Sequence, residues 1–190
     1  MTYFLIITSA IFINNVVLAQ FLGICPFLGV SKRISTAVGM SGAVIFVIVL
    51  STIFTWFIQK LLLEPFEITY LQTIAFVLVI ASLVQIVEIV LKKTSPPLYQ
   101  ALGIFLPLMS TNCAILGIAI MTVNKDYNLL DGVVFSIATG IGFGLALVLF
   151  ASIREQLDLM DIPEGMKGAP IALIIAGILA MAFMGFVGLA

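Results

Sequence analysis

The residues best suited to soft-metal or redox chemistry in this sequence are two thiols. Cys25 and Cys113 are the only cysteines, and histidine is absent. Losing histidine removes the commonest metal ligand, proton shuttle and general base together. The thiolates are then the only soft ligands apart from methionine thioethers. An iron–sulfur cluster is held by four cysteine thiolates, and a structural zinc ion takes the same number. Two cysteines are therefore half of either site, and a second polypeptide would have to provide the other half. No Cys-x-x-Cys spacing is present, so spacing alone argues for neither metal. Two plainer readings stand beside these. A single membrane cysteine is most often a small buried hydrophobe, and a disulfide is disfavoured at membrane depth in a chain with no extracellular signature.

Other polar residues in apolar surroundings are Asn14, Asn15, Asn112 and Glu88. The asparagines could line an ion route, but interhelical hydrogen bonding or backbone repair is the commoner use. An intramembrane carboxylate is a functional candidate by default. Glu88, however, has Lys92 four residues on, in the favourable order for a local interfacial pair. Gly140, Gly142 and Gly144 do not form a nucleotide loop, since no GxGxxG pattern is present. The spacing of Gly140 and Gly144 reads as close helix packing, and Ala172, Ala176 and Ala180 repeat it.

The elements that hold these residues are set by lipid. Of the 190 residues, 63% are hydrophobic and 9% are charged, against about 25% charged in soluble domains. Mean hydropathy is +1.31. The net charge of −1 gives no basic footprint for nucleic acid, and no segment is long enough for a soluble catalytic domain. A spanning helix needs about 20 apolar residues, and six stretches qualify: roughly 3–30, 37–59, 70–91, 98–123, 130–153 and 169–189. The first has no basic region before it and no small-residue cleavage site, so it is expected to stay as a helix. The first, third and fifth loops hold Lys32, Arg33, Lys92, Lys93, Arg154 and Lys167, and the other two hold Lys60 and Lys125. The positive-inside rule makes the odd loops cytoplasmic, which puts both termini on the outer side.

The first and fourth stretches are long and carry polar or helix-breaking residues in mid-segment. Aligned on the cysteines, Cys25-Pro26-Phe27-Leu28-Gly29-Val30 falls on Cys113-Ala114-Ile115-Leu116-Gly117-Ile118. With three helices in each half, the second half must enter the membrane from the opposite side. The expected architecture is an all-α integral membrane protein of six transmembrane helices. It forms one domain over 1–190, made of two inverted three-helix repeats (about 1–95 and 96–190), the first helix of each interrupted. In such folds interrupted helices in matching positions mark the functional centre. Pro26 and Pro107 each remove a helix donor, and irregular backbone at membrane depth must be buried in protein or line a cavity.

Several motifs resemble a known family. Phe21-Leu22-Gly23-Ile24-Cys25-Pro26-Phe27-Leu28-Gly29-Val30-Ser31-Lys32 is similar to the first signature of the A-type subunits of Rnf complexes. Leu102-Gly103-Ile104-Phe105-Leu106-Pro107-Leu108, followed by Thr111-Asn112-Cys113-Ala114, is similar to the second, and Ile153-Arg154-Glu155 and Ala182-Phe183-Met184-Gly185-Phe186 also fit. The sister family, the E-type subunits of the sodium-pumping NADH:quinone oxidoreductase, shares the Leu-Gly-Ile-Phe-Leu-Pro-Leu run. Asn14-Asn15, Lys93-Thr94-Ser95-Pro96 and Thr111 favour the Rnf side. The resemblance implies a bacterial inner-membrane translocase subunit that is not catalytic by itself. Its complex would couple electron transfer between ferredoxin and NAD to Na⁺ or H⁺ movement. It also implies that Cys25 and Cys113 hold half of a 2Fe–2S cluster, shared with a homologous E-type subunit in the opposite orientation, beside other flavin- and iron–sulfur-containing subunits. Inverted repeats suit a stand-alone secondary transporter equally well, and a structural assembly subunit is a third reading. Substituting the cysteines separates these from the redox subunit.

Overall fold

A computed structural model of the chain describes residues 6–31, 33–63, 69–94, 110–160 and 163–185. Those residues are helical or lie in short turns, with no strand among them. Among the described residues the α-helices are, in order, α1 (Ile24–Val30), α2 (Ile34–Ile58), α3 (Gln72–Thr94), α4 (Cys113–Asn124), α5 (Leu129–Leu157) and α6 (Ala169–Met184). Three are long and apolar enough to cross a bilayer: α2 with the π-turn that extends it, α3 and α5. The helices α4 and α6 are shorter and apolar. The first apolar stretch is broken, as the sequence predicts. A π-helical turn, Ser9–Ile13, gives way to non-helical backbone over 14–23 before α1 begins. Pro26 does not make this break. It lies in the first turn of α1, where its missing N–H would have had no intrahelical partner. Pro107 and the 102–108 motif lie outside the described residues.

The centre of the bundle is the antiparallel pair α2 and α5. In lipid no hydrophobic effect drives helices together, so close backbone approach and interhelical hydrogen bonds must do it. A Cβ on Gly140 would stand 3.0 Å from Ile45 Cγ1, and one on Gly144 3.0 Å from Ser41 Cβ. One turn further along, Thr52 and Ser136 share a hydrogen bond of 2.7 Å. Met40, Val44, Ile48, Phe143, Leu147 and Phe150 fill the core.

Each end of this pair is tied. At one end the Ile34 amide donates to Glu155 Oε2. At the other, the Trp56 indole donates to the Tyr127 carbonyl, and the Lys60 ammonium lies 5.0 Å over the Trp56 ring. The residues preceding α2 therefore share an end with those following α5, and Lys60 shares the opposite end with Lys125. This is the division of the first and fifth connections from the second and fourth that the Lys and Arg pattern predicts. Arg154 is the exception, because it lies within α5 and not in a loop. Helix α3 is mostly exposed, and Glu88 is half-buried on it, one turn before Lys92.

Gly140→Leu would push α2 and α5 apart, at a cost of about 1–3 kcal/mol or more for overpacking. Its thermal unfolding temperature in detergent should fall below that of the wild type. Gly177→Leu is the control, because nothing lies within 4 Å of a Cβ at Gly177, and it should leave that temperature unchanged.

Candidate functional site

The break between the π-turn and α1 is held by Asn15, which is fully buried. Its Oδ1 accepts from the amides of Val17 and Leu18 at 3.1 and 3.4 Å. Its Nδ2 donates to the Ile11 carbonyl at 3.1 Å and to the Gly142 carbonyl at 2.9 Å. One side chain thus satisfies backbone groups on both sides of the break and joins them to α5. Gly142 faces this segment: a Cβ there would stand 3.2 Å from Ile11 Cα and 3.3 Å from the Ala10 carbonyl. Gly140 and Gly144 serve α2 while Gly142 serves the broken segment, so the three glycines work on two faces. Asn14 bonds locally to Ser9 Oγ at 3.1 Å. The break also lines a cavity of about 450 Å³ whose polar rim includes Ser9, Asn14, Gln20, Lys125 and Thr139, where irregular backbone is tolerated.

From this anchor the chain turns back on itself. The Leu22 amide reaches the Val16 carbonyl at 3.0 Å. Phe21 and Gly23 are both left-handed, at φ +55° and +81°. The turn seats two residues on α4. Leu22 packs where Gly117 has no side chain, and Gly23 lies against Ala114, Asn112 and Phe143. The Gly23 amide then donates to Cys113 Sγ at 2.9 Å, 90 positions away in sequence. Gly23 is also the N-cap of α1, so Cys25 follows in the first turn of that helix.

Cys113 begins α4, and Asn112 caps that helix by accepting from the Ala114 amide at 3.0 Å. Both cysteines therefore stand at helix N-terminal ends, and the two helices meet head to head. Helix α1 ends beside Arg154 and α4 ends beside Tyr127, at opposite ends of the α2–α5 pair. At 1.5 Å per residue their 7 and 12 residues reach about 10 Å and about 18 Å. Together they are close to the roughly 30 Å of a hydrocarbon core.

Both cysteines are free and exposed on the chain taken alone. The donor set is soft and small. No group of three or more His, Cys, Asp or Glu that could hold a metal occurs among the described residues. As donors, the two exposed thiols supply half of the set that a four-thiolate site takes. Asn112 Nδ2 is buried beside Cys113 without a hydrogen-bond partner.

A model of the family described as "Rnf-Nqr subunit, membrane protein" matches residues 3–190. The chain belongs to the Rnf-Nqr family. The A subunit of the Na⁺-translocating ferredoxin:NAD⁺ oxidoreductase complex of Acetobacterium woodii is 53% identical over 189 residues, covering 100% of this chain and 98% of that protein. The A subunit of the ion-translocating oxidoreductase complex of Syntrophotalea carbinolica is 55% identical, covering 97% of this chain and 96% of its own. The corresponding protein of Psychromonas ingrahamii is 51% identical over 187 residues, covering 98% of this chain and 97% of its own. The resemblance drawn from the cysteine motifs is thus matched along the whole chain by the Rnf-Nqr family.

Sequence reasoning treated Arg154 as a loop cation and missed its place at the site. Arg154 is 9% exposed and donates from Nη1 to the Leu28 carbonyl at 2.8 Å and to Ser31 Oγ at 3.0 Å. The signal was present in the helical spacing. Phe143, Leu147, Phe150 and Arg154 fall on one stripe, and the first three are fully buried.

Gly23→Ala would force an L side chain into a left-handed backbone, costing about 1–2 kcal/mol, with its Cβ 2.9 Å from the Phe143 ring. The turn should shift and the amide should leave the sulfur. In a Cys25→Ser background, maleimide should then label Cys113 faster than it does with Gly23 intact. Gly39→Ala, a position with open space around it, should not change the rate.

Proposed function

We propose that this chain is the A-type subunit of an ion-translocating ferredoxin:NAD oxidoreductase complex, in which Cys25 and Cys113 hold half of a 2Fe–2S cluster. The remaining thiolates would come from a homologous E-type subunit in the opposite orientation. The observation that carries this reading is the Gly23 amide on Cys113 Sγ, which draws the two cysteine-bearing helices together with both thiols exposed. The names of relatives at 51–55% identity favour the Rnf side of the family over the quinone-reducing side.

A cluster bound there provides a one-electron relay partway through a hydrocarbon core about 30 Å thick. The chain's own residues do the rest. The Gly23 amide donates to the Cys113 sulfur and so favours negative charge on it, and hydrogen bonds to cluster sulfurs are one determinant of potential. The positive end of α4, a 12-residue helix, adds to this at Cys113. Asn15 and Gly142 hold the loop that carries the amide, and Phe143 and Leu22 keep it against α4.

The wider arrangement follows the same reading. The two halves, about 1–95 and 96–190, are inverted three-helix repeats, with α1 and α4 the matching half-helices and α2 and α5 the matching central helices. The chain lies in the bacterial cytoplasmic membrane with the Lys32–Arg33 end inside and both termini outside, following the charge bias. Flavin- and iron–sulfur-containing subunits complete the electron path. Na⁺ or H⁺ coupling arises where this chain meets its homologue, since the described helices place no carboxylate at the cysteines.

The complex should be purified without oxygen as wild type, Cys25→Ser and Cys113→Ser, then assayed for iron, acid-labile sulfide and the EPR spectrum of the reduced sample. A 2Fe–2S signal lost in both assembled variants, along with ferredoxin-dependent NAD reduction, is the expected result. Unchanged iron, sulfide and signal would make the cysteines packing residues and leave a transporter or scaffold.

A further inference from the structure

We infer that Arg154 is the positioning residue for Cys25, acting through the C-terminal end of α1; this rests on the cluster reading above. Helix α1 has only seven residues, well short of the length at which a helix is stable without outside contacts. Its last carbonyls have no intrahelical donors. Helix α5 grips it at two points one turn apart. The Phe27 ring stacks on Phe150 with centroids 4.2 Å apart. Four residues further along α5, the Arg154 guanidinium donates to the Leu28 carbonyl and to Ser31 Oγ. Ser31 is the residue at which α1 ends, and it is fully buried.

The cation also sits where the helix dipole favours positive charge. Burying a guanidinium is costly unless its donors are used, so the side chain has little freedom to leave. Leu28 lies about one turn from Cys25, so a displacement at the guanidinium reaches the thiol through a single turn of helix. Across the connection that follows α1, the Ile34 amide is held by Glu155, the next residue of α5. The connection between α1 and α2 is thereby fixed at both ends by adjacent side chains. The two thiols then have separate supports, Cys113 from the Gly23 turn and Cys25 from Arg154.

The test uses the intact complex carrying Arg154→Met, Arg154→Lys or Ser31→Ala. In Arg154→Met the EPR signal of the reduced cluster should broaden and shift. Ferredoxin-dependent NAD reduction should fall roughly tenfold or more, as for outer partners of metal ligands. In a Cys113→Ser background, Cys25 should be alkylated faster once Arg154 is replaced. Arg154→Lys, which keeps the charge but not the fork of donors, should recover part of each property. Unchanged g-values, linewidth and alkylation rate in Arg154→Met would overturn the inference. If that variant fails to assemble, Ser31→Ala decides: a shifted spectrum and faster alkylation support the inference, and no change in either overturns it. Iron, sulfide and EPR signal unchanged in Cys25→Ser and Cys113→Ser would sink the cluster reading alone, because the alkylation rates still report on how Cys25 is held.

Discussion

A bilayer core offers backbone groups no water, so every carbonyl and amide released by a broken helix must find a partner within the protein. The bonds of Asn15 meet that demand for the first segment. They satisfy two amides after the break and one carbonyl before it, and they tie the whole to the Gly142 carbonyl of α5. Without this knot the turn at Phe21–Gly23 has no fixed position, and neither do the two residues it seats against α4. The arrangement of the thiols is therefore a consequence of how the backbone is satisfied ten residues earlier.

One helix, α5, serves three tasks. Gly140 and Gly144 admit α2, Gly142 admits the broken segment, and Phe150 with Arg154 grips α1. Small residues, one aromatic ring and one buried cation on a single helix thus position α2, the broken segment and α1, which carries Cys25. Because α2 and α5 interlock through hydroxyls and missing side chains, α5 cannot readily slide or rotate against its partner.

Much of this was legible in the sequence. Apolar run lengths gave α2, α3 and α5 to within a few residues, because lipid demands long uninterrupted helices. The break in the first segment was visible from Asn14, Asn15 and the glycines, and close packing was visible from Gly140 and Gly144. Pro26 pointed to the right segment for the wrong reason, since the chain is already broken before it and the proline merely opens α1. Arg154 was misplaced because hydropathy counts a charge as an end of a helix. Only its register with Phe143, Leu147 and Phe150 shows that it turns inward. The contact between Gly23 and Cys113 was beyond local reasoning, because two left-handed residues and a fit against Gly117 create it.

Helix α2 must also exist for a time without its partner. It ends at Ile58, whereas α5 begins at Leu129, so during synthesis α2 enters the bilayer long before the surface it will pack against. Its polar residues are prepared for that interval. Ser41, Thr52 and Thr55 each donate to a carbonyl one turn back in their own helix. Such bonds keep a hydroxyl satisfied in hydrocarbon. The helix can wait as an independent span, and when α5 arrives the Thr52–Ser136 contact forms as one of the two hydroxyls turns its single proton from a carbonyl of its own helix, Ile48 or Gly132, to the other oxygen. The insertion order of the chain is thus compatible with a core whose two central helices are far apart in sequence.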